Sequence, residues 1–106
     1  MHIHVSVLHH DYPTRIHDLV ERKLIGLERF NDRLISVRAV LEKVRDTHRV
    51  EIIAKVGHGS VMVAQASTGT FMASLDEALT KIGTQVKRHH DKSRIERRRR
   101  NREQSA

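Results

Sequence analysis

Residues 69–92, GTFMASLDEALTKIGTQVKRHHDK, constrain the fold more than any other stretch of this chain. At about 100° per residue, Phe71, Leu75, Ala78, Leu79, Ile82, Val86 and His89 fall in one narrow stripe. Such a helix has to bury one face against something broad and apolar. Its cations are also sorted, with Lys81, Arg88 and Lys92 together on one flank of the stripe. Solubility alone requires charge outside the stripe, not cations in a row. The pattern predicts a helix that packs on a sheet and turns a basic edge toward an anionic partner.

The rest of the chain supplies the sheet. HIHVSVL at 2–8 alternates, with Ile3, Val5 and Val7 on one face, and reads as a half-buried strand. HHDYP at 9–13 is a loop, and Thr14 is the expected cap of a first helix over 15–34. Ile16, Leu19, Val20, Lys23, Leu24, Leu27, Phe30 and Leu34 share the inner face of that helix. Arg15, Arg22, Arg29 and Arg33 lie on one polar flank, and Asp18, Glu21, Glu28 and Asp32 on the other. Ile25 points away from the stripe. Strands follow at 35–45, 49–56 and 61–67, separated by turns DTH at 46–48 and GHGS at 57–60. Thr70 is the expected cap of the long helix.

The order β-α-β-β-β-α makes the first two strands parallel, because a helical crossover joins them. Short turns make the later pairs antiparallel. Two helices with one apolar stripe each cover one sheet face. The predicted fold is α+β: a two-layer sandwich with a four-stranded mixed sheet. Residues 1–92 form the α/β domain. Residues 93–106, SRIERRRRNREQSA, form a basic flexible tail, read as a frayed helix end or a disordered segment.

The net charge of +7 is unevenly spread. Residues 1–91 hold 13 Lys and Arg against 11 Asp and Glu, whereas residues 92–106 hold 7 against 2. Any nucleic-acid binding by the body therefore depends on how its cations are arranged. With only Tyr12, Phe30 and Phe71 as aromatics, recognition of single strands by stacking platforms is disfavoured. Phosphate and shape recognition stay open. The chain has no cysteine, which removes thiolate ligands, disulfides and cysteine nucleophiles. Its nine histidines show no metal-ligand spacing, so neither a metal nor another cofactor is expected. His9-His10-Asp11 and His89-His90-Asp91 are the only acid/base-looking clusters. Adjacent residues on a helix do not face each other, and no enzyme activity is expected. With no transmembrane-length apolar run and no signal-peptide pattern, the expected location is cytoplasmic.

The element order and two segments resemble the short form of the ribosome hibernation promoting factor family, which includes the ribosome-associated inhibitor. The first segment has Ile16, Leu19, Val20 and Lys23-Leu24-x-x-Leu27-Glu28-Arg29-Phe30. The second has Ala73-Ser74-Leu75-Asp76, Lys81-Ile82, Gln85-Val86-Lys87-Arg88-His89 and Asp91-Lys92. The resemblance covers residues 1 to about 92. It implies binding to the small ribosomal subunit and its rRNA, in the channel where mRNA and tRNA would lie, with translation blocked in resting cells. Carried over by position, the basic helix sites are Lys23, Arg29, Lys81, Arg88 and Lys92. Periodicity adds Arg15, Arg22 and Arg33 to the expected RNA-binding set, and Lys87 joins it as a neighbouring cation of the second segment. The chain departs from the family at Val7, where Gly is frequent, and at Thr70 and Met72, where Asp and Tyr are. It also has Gly26 and Thr84 in place of a common Lys and a common Arg. Neither a membrane partner nor more than a weak dimer of the free protein is expected. The alternatives are a general RNA-binding module dominated by the tail and a protein-binding modulator of a transcription factor. Whether the two basic helix edges meet in a groove or lie on opposite rims is open from the sequence.

Overall fold

A computed structural model describes the backbone of residues 1–9 and 11–105, with side chains except at positions 58, 93, 96, 97 and 99–105. Four strands, β1 (His2–Leu8), β2 (Leu34–Val44), β3 (Thr47–Val56) and β4 (Ser60–Thr68), form one sheet in the order β1-β2-β3-β4. The β1/β2 pair is parallel and the other two are antiparallel. Helix α1 (Thr14–Ile25) lies over β1, and helix α2 (Phe71–Ser105) lies over β3 and β4. This is the mixed sheet with two helices that the element order predicts.

Period-two alternation sends one side of every strand toward the helices. Val37, Ala39 and Leu41 meet Val50, Ile52, Ala54 and Val56 in that layer, all of them buried. From above, Val20, Leu24 and Leu27 arrive on one side and Leu75, Ala78, Ile82 and Val86 on the other. Ala54, Ala64, Ala66 and Ala78 keep the layer thin where α2 crosses.

The first helix is shorter than the 15–34 stripe suggests. It ends at Ile25, and a 3-10 turn over Gly26–Phe30 follows, here called η1. Leu24, Leu27 and Phe30 recur every three residues, a spacing that an α-helix and a 3-10 helix both satisfy over so short a distance. Arg29 therefore sits on the 3-10 turn. Arg33 sits in the bend before β2, where its carbonyl accepts a hydrogen bond from Gly57 N–H at 3.0 Å. Pro13, not Thr14, is the N-cap of α1, and no side chain caps it. Thr70 does cap α2, its hydroxyl accepting from Ala73 N–H at 3.3 Å. The turn at 46–48 contracts to a two-residue hairpin loop, Arg45 and Asp46, with Arg45 in the left-handed region at φ 57°.

The long helix continues past residue 92 to Ser105 without a break. Beyond Asp91 every described side chain, Lys92, Arg94, Ile95 and Arg98, is exposed. The helix thus leaves the body of the domain, which gives the chain its 61 Å long axis. The rest of the arginine run lies outside the described side chains, as does His10 of the His9-His10-Asp11 cluster.

Candidate nucleic-acid interface

Between α1–η1 and α2 runs a groove of about 390 Å³. Lys23, Gly26, Leu27, Arg29 and Phe30 line it from one side, and Leu79, Thr80, Gly83, Thr84 and Lys87 from the other. Its floor is apolar, its rim carries three cations, and no carboxylate is among its lining residues.

Local chemistry fixes that rim. Lys23 falls within the apolar stripe of α1, so its stem lies along the groove wall while its ammonium reaches water. The Arg29 guanidinium sits over the Phe30 ring, 4.8 Å from the centroid, a cation–π contact. Phe30 in turn seats against the bare backbone of Gly83, where a Cβ would come within 3.4 Å of the ring. Asn31 anchors the whole turn. It is buried, its Nδ2 donates to the Val86 carbonyl at 3.3 Å, and its Oδ1 accepts from Arg33 N–H at 2.9 Å. Asn31 carries no role in the periodicity reading of the first helix. A helix through residue 34 places it four residues after Leu27 and seven after Leu24, on the apolar face. A polar side chain at that point, together with the preference of Asn for bends, is the signal that could have found it.

The expected cations separate into two groups. Arg15, Leu19, Arg22 and Gly26 share a flank of α1 at helical spacing, and Gly26 lines the groove. Exposed Arg15 and Arg22 therefore extend the groove's basic edge along α1. Lys87 belongs to the same groove from α2, and Arg94 and Arg98 continue its flank along the helix. Lys81 lies on the other side of α2. Its ammonium donates to the Gln65 carbonyl of β4 at 3.1 Å and pairs with Glu77 at 3.1 Å. Exposed Arg88 and Lys92 follow Lys81 at helical spacing, along the β4 edge. Helix α2 thus carries a cationic line on each side, and only one of them meets the cations of α1. Arg33 is half-buried in its bend.

Among the described residues, no three His, Asp or Glu side chains gather as metal ligands. His90 and Asp91 approach at 3.7 Å on the surface. No helix among the described residues is long and apolar enough to cross a membrane.

A family model described as "Sigma 54 modulation protein / S30EA ribosomal protein" matches residues 3–94. The chain belongs to this family. Over 92 residues it is 29% identical to the ribosome hibernation promoting factor of Azotobacter vinelandii, covering 87% of this chain and 85% of that protein. The protein of the same name from Pseudomonas putida is 26% identical over 92 residues, with 87% and 89% covered. Among solved structures, the N-terminal domain of Thermus thermophilus Protein Y superposes with a TM-score of 0.75 at 28% identity, covering 84% of this chain and 99% of that one. A ribosomal subunit interface protein from Coxiella burnetii shares the fold, with a TM-score of 0.76 at 21% identity and coverages of 84% and 97%. Gly26 and Thr84, where the resemblance led to the expectation of a Lys and an Arg, both line the groove.

Proposed function

We propose that this chain is a cytoplasmic ribosome hibernation factor that binds the small ribosomal subunit and occludes the mRNA and tRNA channel, without catalysing a reaction. Its affinity comes from rRNA phosphates held by cations that the fold keeps at fixed spacing. The observation that carries this reading is the groove rim. Lys23, Arg29 and Lys87 converge there from two elements with no lining carboxylate to neutralise them. Arg15 and Arg22 lengthen the same edge, while Lys81, Arg88 and Lys92 give the β4 side of α2 a second line of contacts. The names borne by the relatives, which align along most of the chain, agree with this reading.

Sedimentation with small subunits at two salt concentrations, with tRNA as competitor, tests it. Contact with about five phosphates gives a log–log salt slope of about −4. Lys23→Glu on the groove edge and Arg88→Glu on the β4 edge are each expected to weaken association by about 1–2 kcal/mol in a folded protein. Undiminished association of both variants, or a complex indifferent to salt and tRNA, would sink the proposal.

A further inference from the structure

We infer that the groove between α1 and α2 holds one unstacked nucleotide, its base on the apolar floor and its phosphate against Lys23, Arg29 and Lys87. The inference deepens the RNA-binding reading, on which it rests only for the source of the nucleotide.

The groove is a poor match for a phosphodiester backbone alone. Phosphates bound at a rim leave a floor wet, and here the floor is built from Leu27, Phe30 and Leu79 beside the bare backbone of Gly83. A purely apolar guest is no better suited, because it leaves three convergent cations without a counter-charge. A nucleotide combines a flat apolar face with an anionic group at one end. The volume of about 390 Å³ falls in the ordinary range for small-ligand clefts.

Three further details favour a base. The Arg29 guanidinium sits over the Phe30 ring, 4.8 Å from its centroid, and bases stack on guanidinium planes. The Thr80 and Thr84 hydroxyls donate to the carbonyls of Asp76 and Thr80, at 2.9 and 3.0 Å. Their oxygens keep lone pairs for N–H groups at a base edge. Gly26 supplies the entrance, since a Cβ there would meet nothing within 4 Å.

The test separates base from phosphate and bound RNA from free nucleotide. The full chain, labelled for amide NMR, is titrated with adenosine monophosphate and with ribose 5-phosphate. Adenosine monophosphate should shift the amides of Gly26, Gly83 and Thr84 at about tenfold lower concentration, a modest return for one stacked base. Equal midpoints for the two ligands would overturn the inference. Gly26→Lys and Thr84→Arg each fill the groove while adding a positive charge, and both sites have room for the longer side chain. Each variant should weaken adenosine monophosphate binding with the remaining amide spectrum unchanged; unaltered binding in both also overturns the inference. On small subunits, weaker association despite the added charge identifies the nucleotide as part of the rRNA. Stronger association, with adenosine monophosphate binding still lost, identifies it as a free nucleotide. A protein that binds adenosine monophosphate in this way but ignores ribosomal subunits upholds the groove inference and refutes the function proposed above.

Discussion

Ser74 shows how much one buried polar atom organises. Its hydroxyl lies 2.7 Å from the His48 carbonyl and 3.0 Å from that of Thr70, accepts from Thr68 N–H at 3.1 Å, and meets the Thr68 hydroxyl at 2.7 Å. It joins the start of α2 to the ends of β3 and β4. Ser74→Ala removes the hydroxyl that accepts from the Thr68 amide and donates among the His48 and Thr70 carbonyls. Losing hydrogen bonds in such a part-buried network is costly, so urea unfolding should show a loss of about 1–3 kcal/mol. Beside it, the Tyr12 hydroxyl bonds His48 Nδ1 at 2.7 Å, and its ring lies 5.1 Å from that of Phe71. Burial disfavours the phenolate and raises the Tyr12 pKa above its ordinary 10.0. The folded state therefore binds this proton more tightly than the unfolded chain does. The resulting stability is complete below 10.0 and is lost as pH rises through the higher folded value. Thermal unfolding followed across that alkaline range should show a steeper decline for the wild type than for Tyr12→Phe; parallel curves would exclude this linkage. The sequence disclosed neither role. Tyr12 stands in a short polar loop, and Ser74 reaches the His48 carbonyl on a strand 26 residues earlier in the chain, which periodicity within one helix cannot reveal.

At the scale of elements, patterns of two and 3.6 residues were sufficient for the strands and for the stripe of α2, whose seven members are buried or half-buried. They failed where one helix type gives way to another with the same apolar spacing, at Gly26. They were also silent on what lies beside each flank, because that depends on where the helices cross the sheet. The clearest case is the β4 edge. An edge strand exposes unpaired backbone groups and invites pairing with other chains. Here α2 covers that edge: Lys81 Nζ donates to the Gln65 carbonyl at 3.1 Å, and Gln85 Nε2 to the Val63 carbonyl at 3.0 Å. The four-residue spacing of the donors on α2 matches the two-residue spacing of the acceptors on β4. Lys81, which the sequence offers as an RNA ligand, is therefore also an edge guard. Replacing both Lys81 and Gln85 by Ala uncovers two carbonyls next to exposed Val61 and Val63. Sedimentation velocity should then show concentration-dependent self-association that the wild type lacks. A double variant indistinguishable from wild type would mean that the edge is blunted by other features.

For the whole molecule, the decisive property is that the sheet-bound part of α2 and its projecting part do different things. The apolar stripe ends at His89, and no described side chain beyond Asp91 is buried. Deleting residues 93–106 removes six arginines and no core contact among the described side chains. The unfolding midpoint should therefore stay where it is. Binding to small subunits should weaken, since Arg94 and Arg98 continue the Lys87 flank beyond the groove. Each phosphate that the tail had held subtracts about 0.7–0.9 from the magnitude of the salt slope. If the groove edge and the β4 edge are the principal contacts, the truncated protein keeps most of its affinity and still loses it on Lys23→Glu. If the arginines dominate, truncation abolishes association and Lys23→Glu in the full chain changes little. That second result would make the folded body a carrier for a basic arm, and the fixed spacing of Lys23, Arg29 and Lys87 would have no part in recognition. Sedimentation of the truncated and full-length proteins, each with and without Lys23→Glu, distinguishes the two by the sign and size of the coupling.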